Sequence, residues 1–287
     1  MDLKNKRDRF NVFRALTAPF IFLFPFYMGF PEGYQILTTL LLWAMLNDIN
    51  HVLHLHIHNS FSNNKYVNLW IDWSMGVVTG MVASNWLIQH KYGHHRLGQA
   101  PAEFNNKWDF AKPQEMDEFS IFGSTWYSIR TSAPIFLRPI LESYRKGILQ
   151  NLKTPVNYRY AFFEQIAFIG FVIAMMMVNP WVTLSYLIPW YCFVYFVTRY
   201  TDYLNHNARG HGKFDSSNNS LNKAYNNLGC NFGYHSAHHF RPFAHWSELP
   251  KIHEQIKHEL SPDQIKTYSW SGFLIPYHFY LSVRGKF

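Results

Sequence analysis

Two stretches of this 287-residue chain, residues 15–64 and 160–198, contain no lysine or arginine. Each is long enough for two crossings of about 20 residues, the length that spans a hydrocarbon core of ~30 Å. They predict two transmembrane hairpins: 11–30 with 33–50, turning at Pro31-Glu32-Gly33, and 161–178 with 181–199, turning at Asn179-Pro180. The mean hydropathy of -0.18 hides this, because apolar runs alternate with polar, histidine-rich blocks. The expected fold is an all-α integral membrane protein of four spans. It is a single domain over 1–287, whose helical cytoplasmic cap comprises 91–160 and 200–287 and carries the histidine-rich site.

The basic residues sort around these gaps. Lys4, Lys6, Arg7, Arg9 and Arg14 lie before or at the very start of the first hairpin, ten lie from Lys91 to Arg159, and ten from Arg199 onward. By the positive-inside tendency both termini and the central segment are expected in the cytoplasm. A net charge of +8 then needs no nucleic acid as partner. Anionic headgroups account for it, and an acidic redox partner could use the same surface. Cys192 and Cys230 are the only cysteines, which excludes a disulfide framework and a metal site of four thiolates. The apolar run from Thr17 lacks a small-residue cleavage site and is expected to be a retained first span.

Between the hairpins, Tyr66–Gln89 is amphiphilic and carries Trp70, Trp73 and Trp86. If His58 and His90 serve one cluster, the residues between them are too few for two crossings, so this segment is expected to return along the interface without spanning. From Arg96 to Arg159 the chain is polar and punctuated by Pro101, Pro113, Pro134, Pro139 and Pro155, which predicts short helical stretches. Asp215 to Ser220 is expected as a turn or loop, with Gly229 and Gly233 giving tight backbone before the last histidine cluster. Ser247 to Leu260 reads as a surface helix with Lys251, Glu254, Lys257 and Glu259 on its wet side. Trp270–Val283 is aromatic, without charge, and is expected to be a terminal interfacial helix.

Histidines cluster at 51–58, 90–95 and 235–239. Imidazole suits iron, copper and zinc, and residues three or four apart share one helix face. His54 with His58, His90 with His94, and His235 with His238 or His239 can then each grip an ion. In the adjacent pairs, His94 with His95 and His238 with His239, the two rings can serve different ions. Together with His206 these make nine candidate ligands: His54, His58, His90, His94, His95, His206, His235, His238 and His239. Nine overfill one first-row ion, which takes about four to six, but fit two with open positions. The H-E-x-x-H frame of zinc hydrolases and the paired Glu-x-x-His of soluble di-iron proteins are both missing, which leaves an all-nitrogen iron pair. Asp202, His51 and His245 are further candidates, as ligands or as groups that orient one. His56, His211, His253, His258 and His278 are expected to be structural or exposed.

His54-x-x-x-His58 followed by Phe61, His90-x-x-x-His94-His95, and His235-x-x-His238-His239 followed by Pro242 resemble the three histidine boxes of the integral-membrane fatty acid desaturase and hydroxylase superfamily. The second box, with Pro101-Ala102-Glu103 after it, is similar to that of alkane omega-hydroxylases. The third, with Trp246 and Leu249-Pro250 after it, looks more like that of acyl-lipid desaturases. Asp202-Tyr-Leu-Asn-His206 resembles an element that family members write as Asn-x-x-x-His, with Asp202 in place of Asn. The resemblance implies two non-haem iron ions, dioxygen as oxidant, and abstraction of hydrogen from an unactivated C–H bond of a fatty acyl chain held in the bilayer. It also implies electrons from a separate ferredoxin-, rubredoxin- or cytochrome-type donor. Desaturation is the leading expectation; hydroxylation, or decarboxylation to a terminal alkene, is the alternative, since all begin with the same abstraction. A histidine-rich metal transporter is a remote alternative, because its ligands would line a path across the bilayer, whereas these gather at one face.

Overall fold

The structure, a computed structural model, describes residues 2–28, 49–95, 121–153, 156–206, 217–269 and 274–284. The principal α-helices, in chain order, are α1 (Arg9–Phe22), α2 (Ile49–His58), α3 (Lys65–Thr79), α4 (Ala83–Trp86), α5 (Ile121–Ser143), α6 (Tyr158–Val178), α7 (Ile188–His206), α8 (Lys223–Leu228), α9 (His235–Phe240), α10 (Leu249–Ile256) and α11 (Ile275–Val283). Among the described residues the strands are two-residue pieces, β1 (Asn219–Ser220) and β2 (Ile265–Lys266), paired in parallel.

Three of the described helical segments are long and apolar enough to cross a membrane: Lys6–Tyr27, Tyr158–Val178 and Pro180–His206. The predicted second span, 33–50, lies outside the described residues except at its last two positions. The first span starts before residue 11, because the Asn5 side chain accepts from the Arg7 N–H at 3.0 Å and nucleates a 3-10 turn that runs into α1. The second hairpin turns where expected. Asn179 ends α6, its side chain accepts from the Val182 N–H at 3.1 Å, and Pro180 takes the first helical position, where its missing N–H costs nothing. Along α6, Phe163, Ile166, Ile173, Met177 and Val178 are all exposed, an apolar face that water would not tolerate and lipid would cover.

Two expectations need correction. The helix of the last expected span does not stop at Arg199, because α7 runs on to His206. Arg199 is buried and bonded to Asp202 and Thr131. Nor does proline cut the 121–149 region into short pieces. Pro134 and Pro139 lie inside the 23-residue α5, which passes into a π-helical segment, Tyr144–Leu149.

The chain divides into two compact units, Met1–Ile88 with Pro134–Tyr195, and Gln89–Ala133 with Phe196–Phe287. In the first, α1 lies against α3: Val12, Ala15, Ala18 and Phe22 are buried together with Ile71, Met75 and Val78, and the Ser74 hydroxyl donates to the Ala15 carbonyl. With 15 residues, α3 rises only about 22 Å, less than a bilayer core. Its last carbonyls have no intrahelical partners and need donors in an apolar setting. Aromatic side chains supply them. Trp190 Nε1 donates to the Val78 carbonyl at 2.8 Å, and the Tyr191 and Tyr195 hydroxyls donate to Val77 and Gly80 at 2.5 and 3.0 Å. Gly80 closes the helix with φ 74°, and a Cβ there would sit 2.7 Å from the Tyr191 ring. Two separate constraints thus demand glycine at the turn that leads to α4 and the second histidine box.

In the second unit, α9 packs on α10. Ala237, Leu249, Ile252, Ile256 and Leu260 form its buried cluster, flanked by Tyr234, Trp246 and Ile265. The surface helix expected over 247–260 is there, with Lys251, Glu254 and Lys257 exposed. The terminal helix expected over 270–283 is described from Leu274, with α11 over Ile275–Val283.

Candidate metal centre

The first histidine cluster belongs to the first unit. On α2, His54 and His58 are one turn apart, both buried, with ring centroids 4.8 Å from each other, and Trp86 meets His54 edge-on at 6.4 Å. His56 points elsewhere, as expected from its place off that face. Its Nδ1 accepts from the Phe61 N–H at 3.4 Å and its Nε2 lies 3.3 Å from Asp72, so both ring nitrogens are engaged in holding the chain. His51 is half-buried one turn earlier on the same helix.

The second and third clusters lie in the second unit. Leu87–His94 winds as a π-helix, not the α-helix assumed from sequence. In that winding residues five apart stack, and His95 consequently meets His90, with their Nε2 atoms 3.0 Å apart. The side chain of His94, the partner expected for His90, lies outside those described. His95 Nε2 is also 3.1 Å from His238 Nε2. On α9 the ordinary α-helical spacing holds: His235 and His239 face each other, Nε2 to Nε2, at 2.9 Å, and His206 at the end of α7 brings its Nε2 to 3.1 Å from that of His235. The adjacent rings of the third box therefore part as expected, His238 to one group and His239 to the other. His95 lies 4.5 Å from His239, ring to ring, so the two triads are neighbours.

These distances test whether a metal fits. His235 Nε2 is within 3.1 Å of two other Nε2 atoms, and so is His95 Nε2. One such nitrogen carries either a single proton or a single lone pair, so it cannot make two good hydrogen bonds to its neighbours. A cation shared by the three lone pairs removes the conflict. On bonds of about 2.1 Å, neighbouring ligands of one ion stand ~3.0–3.4 Å apart, so separations of 2.9–3.1 Å suit nitrogens that share an ion. The residues fit a site for metal ions. His206, His235 and His239 are all buried, with ligand atoms within 4.8 Å of one another.

The support beneath the third box is what sequence reasoning missed. α9 has only six residues, and its N-cap, Tyr234, provides no side-chain cap. Asn219 of β1 does so from a distance: its Oδ1 accepts from the Ser236 N–H at 3.1 Å and its Nδ2 donates to Ser236 Oγ at 2.7 Å. Asn218 ties the same strand to α7, donating from Nδ2 to the Leu204 carbonyl at 2.8 Å. Gln264 donates to Ser217 at 2.8 Å. The tight backbone comes partly from unexpected residues. Cys230 and Asn231, not Gly229, adopt positive φ, at 51° and 60°. Gly233 does carry the close approach expected of it, for a Cβ there would collide with the Ser220 carbonyl and the Asn226 side chain.

The remaining candidates are placed as follows. Asp202 lies beside His206, its Oδ1 3.7 Å from Nε2, and its Oδ2 pairs with Arg199 Nη1 at 3.0 Å. His245 caps the short 3-10 helix Trp246–Glu248, accepting from the Ser247 N–H at 3.3 Å, and stands outside both triads. His253 and His278 are buried and His258 is exposed; His211 lies outside the described residues. Lys91, next to His90, packs its ammonium over the Phe243 ring at 5.1 Å, and burial pulls it below the usual lysine range.

Comparison with known proteins agrees with this geometry. A family model described as fatty acid desaturase matches residues 33–271, which takes in all three histidine boxes. No curated protein and no solved structure matches the chain. The family implies an oxidoreductase of fatty acyl chains working at a membrane. The chain belongs to the fatty acid desaturase family.

Proposed function

We propose that the protein is a membrane-bound di-iron desaturase of fatty acyl chains. The observation that carries the reading is the pair of Nε2 triads, His90 with His95 and His238, and His206 with His235 and His239, each gathered around one shared nitrogen. Each triad would hold one ion, and His54, His58 and His94 are proposed as further ligands. Bound irons would supply the activation of dioxygen and the oxidising power to take hydrogen from an unactivated C–H bond. The protein's own part is to hold the ions, to place one methylene pair beside them, and to keep water out. Placement to within ~1 Å decides between a double bond, an alcohol and a shortened alkene.

The fourth span over 33–50, a single domain, and a cytoplasmic site with both termini on that side belong to the same proposal. So does a separate electron donor of the ferredoxin, rubredoxin or cytochrome type. Metal analysis of the purified chain, together with mass spectrometry of host lipids with and without it, tests the proposal. About two irons per chain and new unsaturated acyl chains are expected. Hydroxylated acyl chains or terminal alkenes would replace desaturation by the alternative reactions. Zinc, or no metal, with unchanged lipids would end the proposal.

A further inference from the structure

We propose that the junction of α5 and α6, residues 137–159, is a binding surface for anionic phospholipid headgroups, held by Arg145, Lys153 and Arg159. The inference is independent of the metal centre and rests only on α6 being a membrane span.

Depth comes from α6. With 21 residues it rises about 31 Å, the thickness of a hydrocarbon core, so its first turn, with Arg159, stands at headgroup level. The chain before it is fastened to that turn. A Cβ on Gly147 would lie 2.6 Å from the Arg159 nitrogen and 2.8 Å from the Tyr158 carbonyl oxygen, an approach that glycine alone permits. Lys146 Nζ donates to Tyr158 Oη at 3.4 Å, and Gln165 Nε2 donates to Ser143 Oγ at 3.4 Å. The π-helical segment Tyr144–Leu149 is therefore held beside the start of α6. Asn151, with φ 48°, turns the chain out of it, and the Leu152 N–H donates to the Lys146 carbonyl at 3.0 Å, which keeps Lys153 near the same end.

Two properties of this surface choose the occupant. Leu137, Leu141 and Tyr144 follow α-helical spacing, Leu149 follows five residues later in the π-winding, and all four are exposed, as is Leu152. Tyr144 meets Phe162 at 5.4 Å, ring to ring, and Phe162 meets the exposed Phe163 at 5.6 Å, so the apolar stripe joins the face of α6 that lipid covers. Its charge is one-sided: residues 137–159 include Arg138, Arg145, Lys146, Lys153 and Arg159 against one acid, Glu142, which Lys146 meets at 3.1 Å. Arg145, Lys153 and Arg159 are exposed. Long basic side chains beside such a stripe lay their stems on it and lift the charge to the interface. A soluble acidic protein, the other partner that the net charge allowed, would have to cover apolar surface that already faces lipid. An anionic phospholipid meets both features at once, headgroup on the cations and acyl chains along the stripe.

The test titrates the detergent-purified full chain with phosphatidylglycerol and with phosphatidylcholine of the same acyl chains, bound lipid being counted by native mass spectrometry. Each cation at an anionic surface is worth about fivefold, so wild type should hold phosphatidylglycerol about tenfold or more tighter. Arg145→Gln, Lys153→Gln and Arg159→Gln together should bring the two lipids to equal affinity. Removing the exposed Lys223, Lys251 and Lys257, each to Gln, takes away the same charge elsewhere and should leave the preference intact. No preference in wild type, equal loss in both triple variants, or a junction variant that keeps the wild-type preference overturns the inference. If that last variant also no longer binds a reduced plant-type ferredoxin, the surface belongs to a soluble acidic partner instead. Inorganic phosphate at millimolar concentration should not displace the lipid, and displacement would overturn the assignment to a headgroup. A chain that does not insert into nanodiscs sinks the membrane reading itself, a different result from any of these.

Discussion

Asn219 holds no metal, yet replacing it should disable the centre. It is fully buried in β1, and it supplies both an acceptor for the Ser236 N–H at 3.1 Å and a donor to Ser236 Oγ at 2.7 Å. Asn219→Leu keeps the branching at Cγ and removes both bonds. The hydroxyl has another partner in Ser217 Oγ at 3.0 Å, so its loss costs about 1 kcal/mol, but the backbone N–H is left buried without its acceptor, at about 1–3 kcal/mol. The sum, ~2–4 kcal/mol, falls on a six-residue helix that cannot stand alone and carries His235, His238 and His239. If it is expressed wholly as loosening of α9, metal affinity falls by about 30-fold to several hundred-fold. Asn219→Asp keeps the acceptor and lets the serine hydroxyl turn to donate, so it should lose far less. The assay is iron retained by purified protein against a graded chelator, with thermal unfolding followed in parallel. A leucine variant that holds its iron as tightly as wild type would refute the claim that this remote cap positions the third box.

Gly80→Ala should lower stability by about 2–4 kcal/mol, from left-handed backbone and overpacking against Tyr191, as read from unfolding of the detergent-solubilised protein; an unchanged midpoint would count against the turn described. His238→Ala should abolish lipid desaturation and lower bound iron, while His258→Ala, at an exposed position, should leave both unchanged. His278 donates from Nε2 to the Ser269 carbonyl at 2.7 Å and accepts from Tyr200 at 3.1 Å, and burial pulls its pKa below the ordinary histidine value. A base with a depressed folded pKa contributes stability that is present above the unfolded value of about 6.5 and is lost as pH falls through the folded value. His278→Leu should therefore show a smaller fall in thermal midpoint than wild type between about pH 7.5 and 5.5, and equal falls would exclude this contribution.

What could be seen in the sequence follows from how far each signal acts. The absence of lysine and arginine marks the spans because charge is excluded from lipid over a whole stretch, and α6 with its Asn179-Pro180 turn lies where that rule puts it. The same rule fails at Arg199, since a charge ends a span only when it reaches water, and this one is satisfied inside by Asp202 and Thr131. Histidine spacing shows that ligands exist but not how they are wound. His235 and His239 obey the α-helical interval, whereas one extra residue per hydrogen-bonded turn in Leu87–His94 sets His95 against His90. Nothing in the residue pattern announces that winding. The asparagines around β1 pose the opposite difficulty. Asn218, Asn219 and Asn226 look like loop residues because their side chains bond to backbone, and that same property makes them the scaffold of the third box once the backbone is buried. Which of the two roles an asparagine plays depends on burial, and burial here is set by contacts from residues as distant as Tyr268, whose carbonyl takes the Ser220 hydroxyl at 2.5 Å.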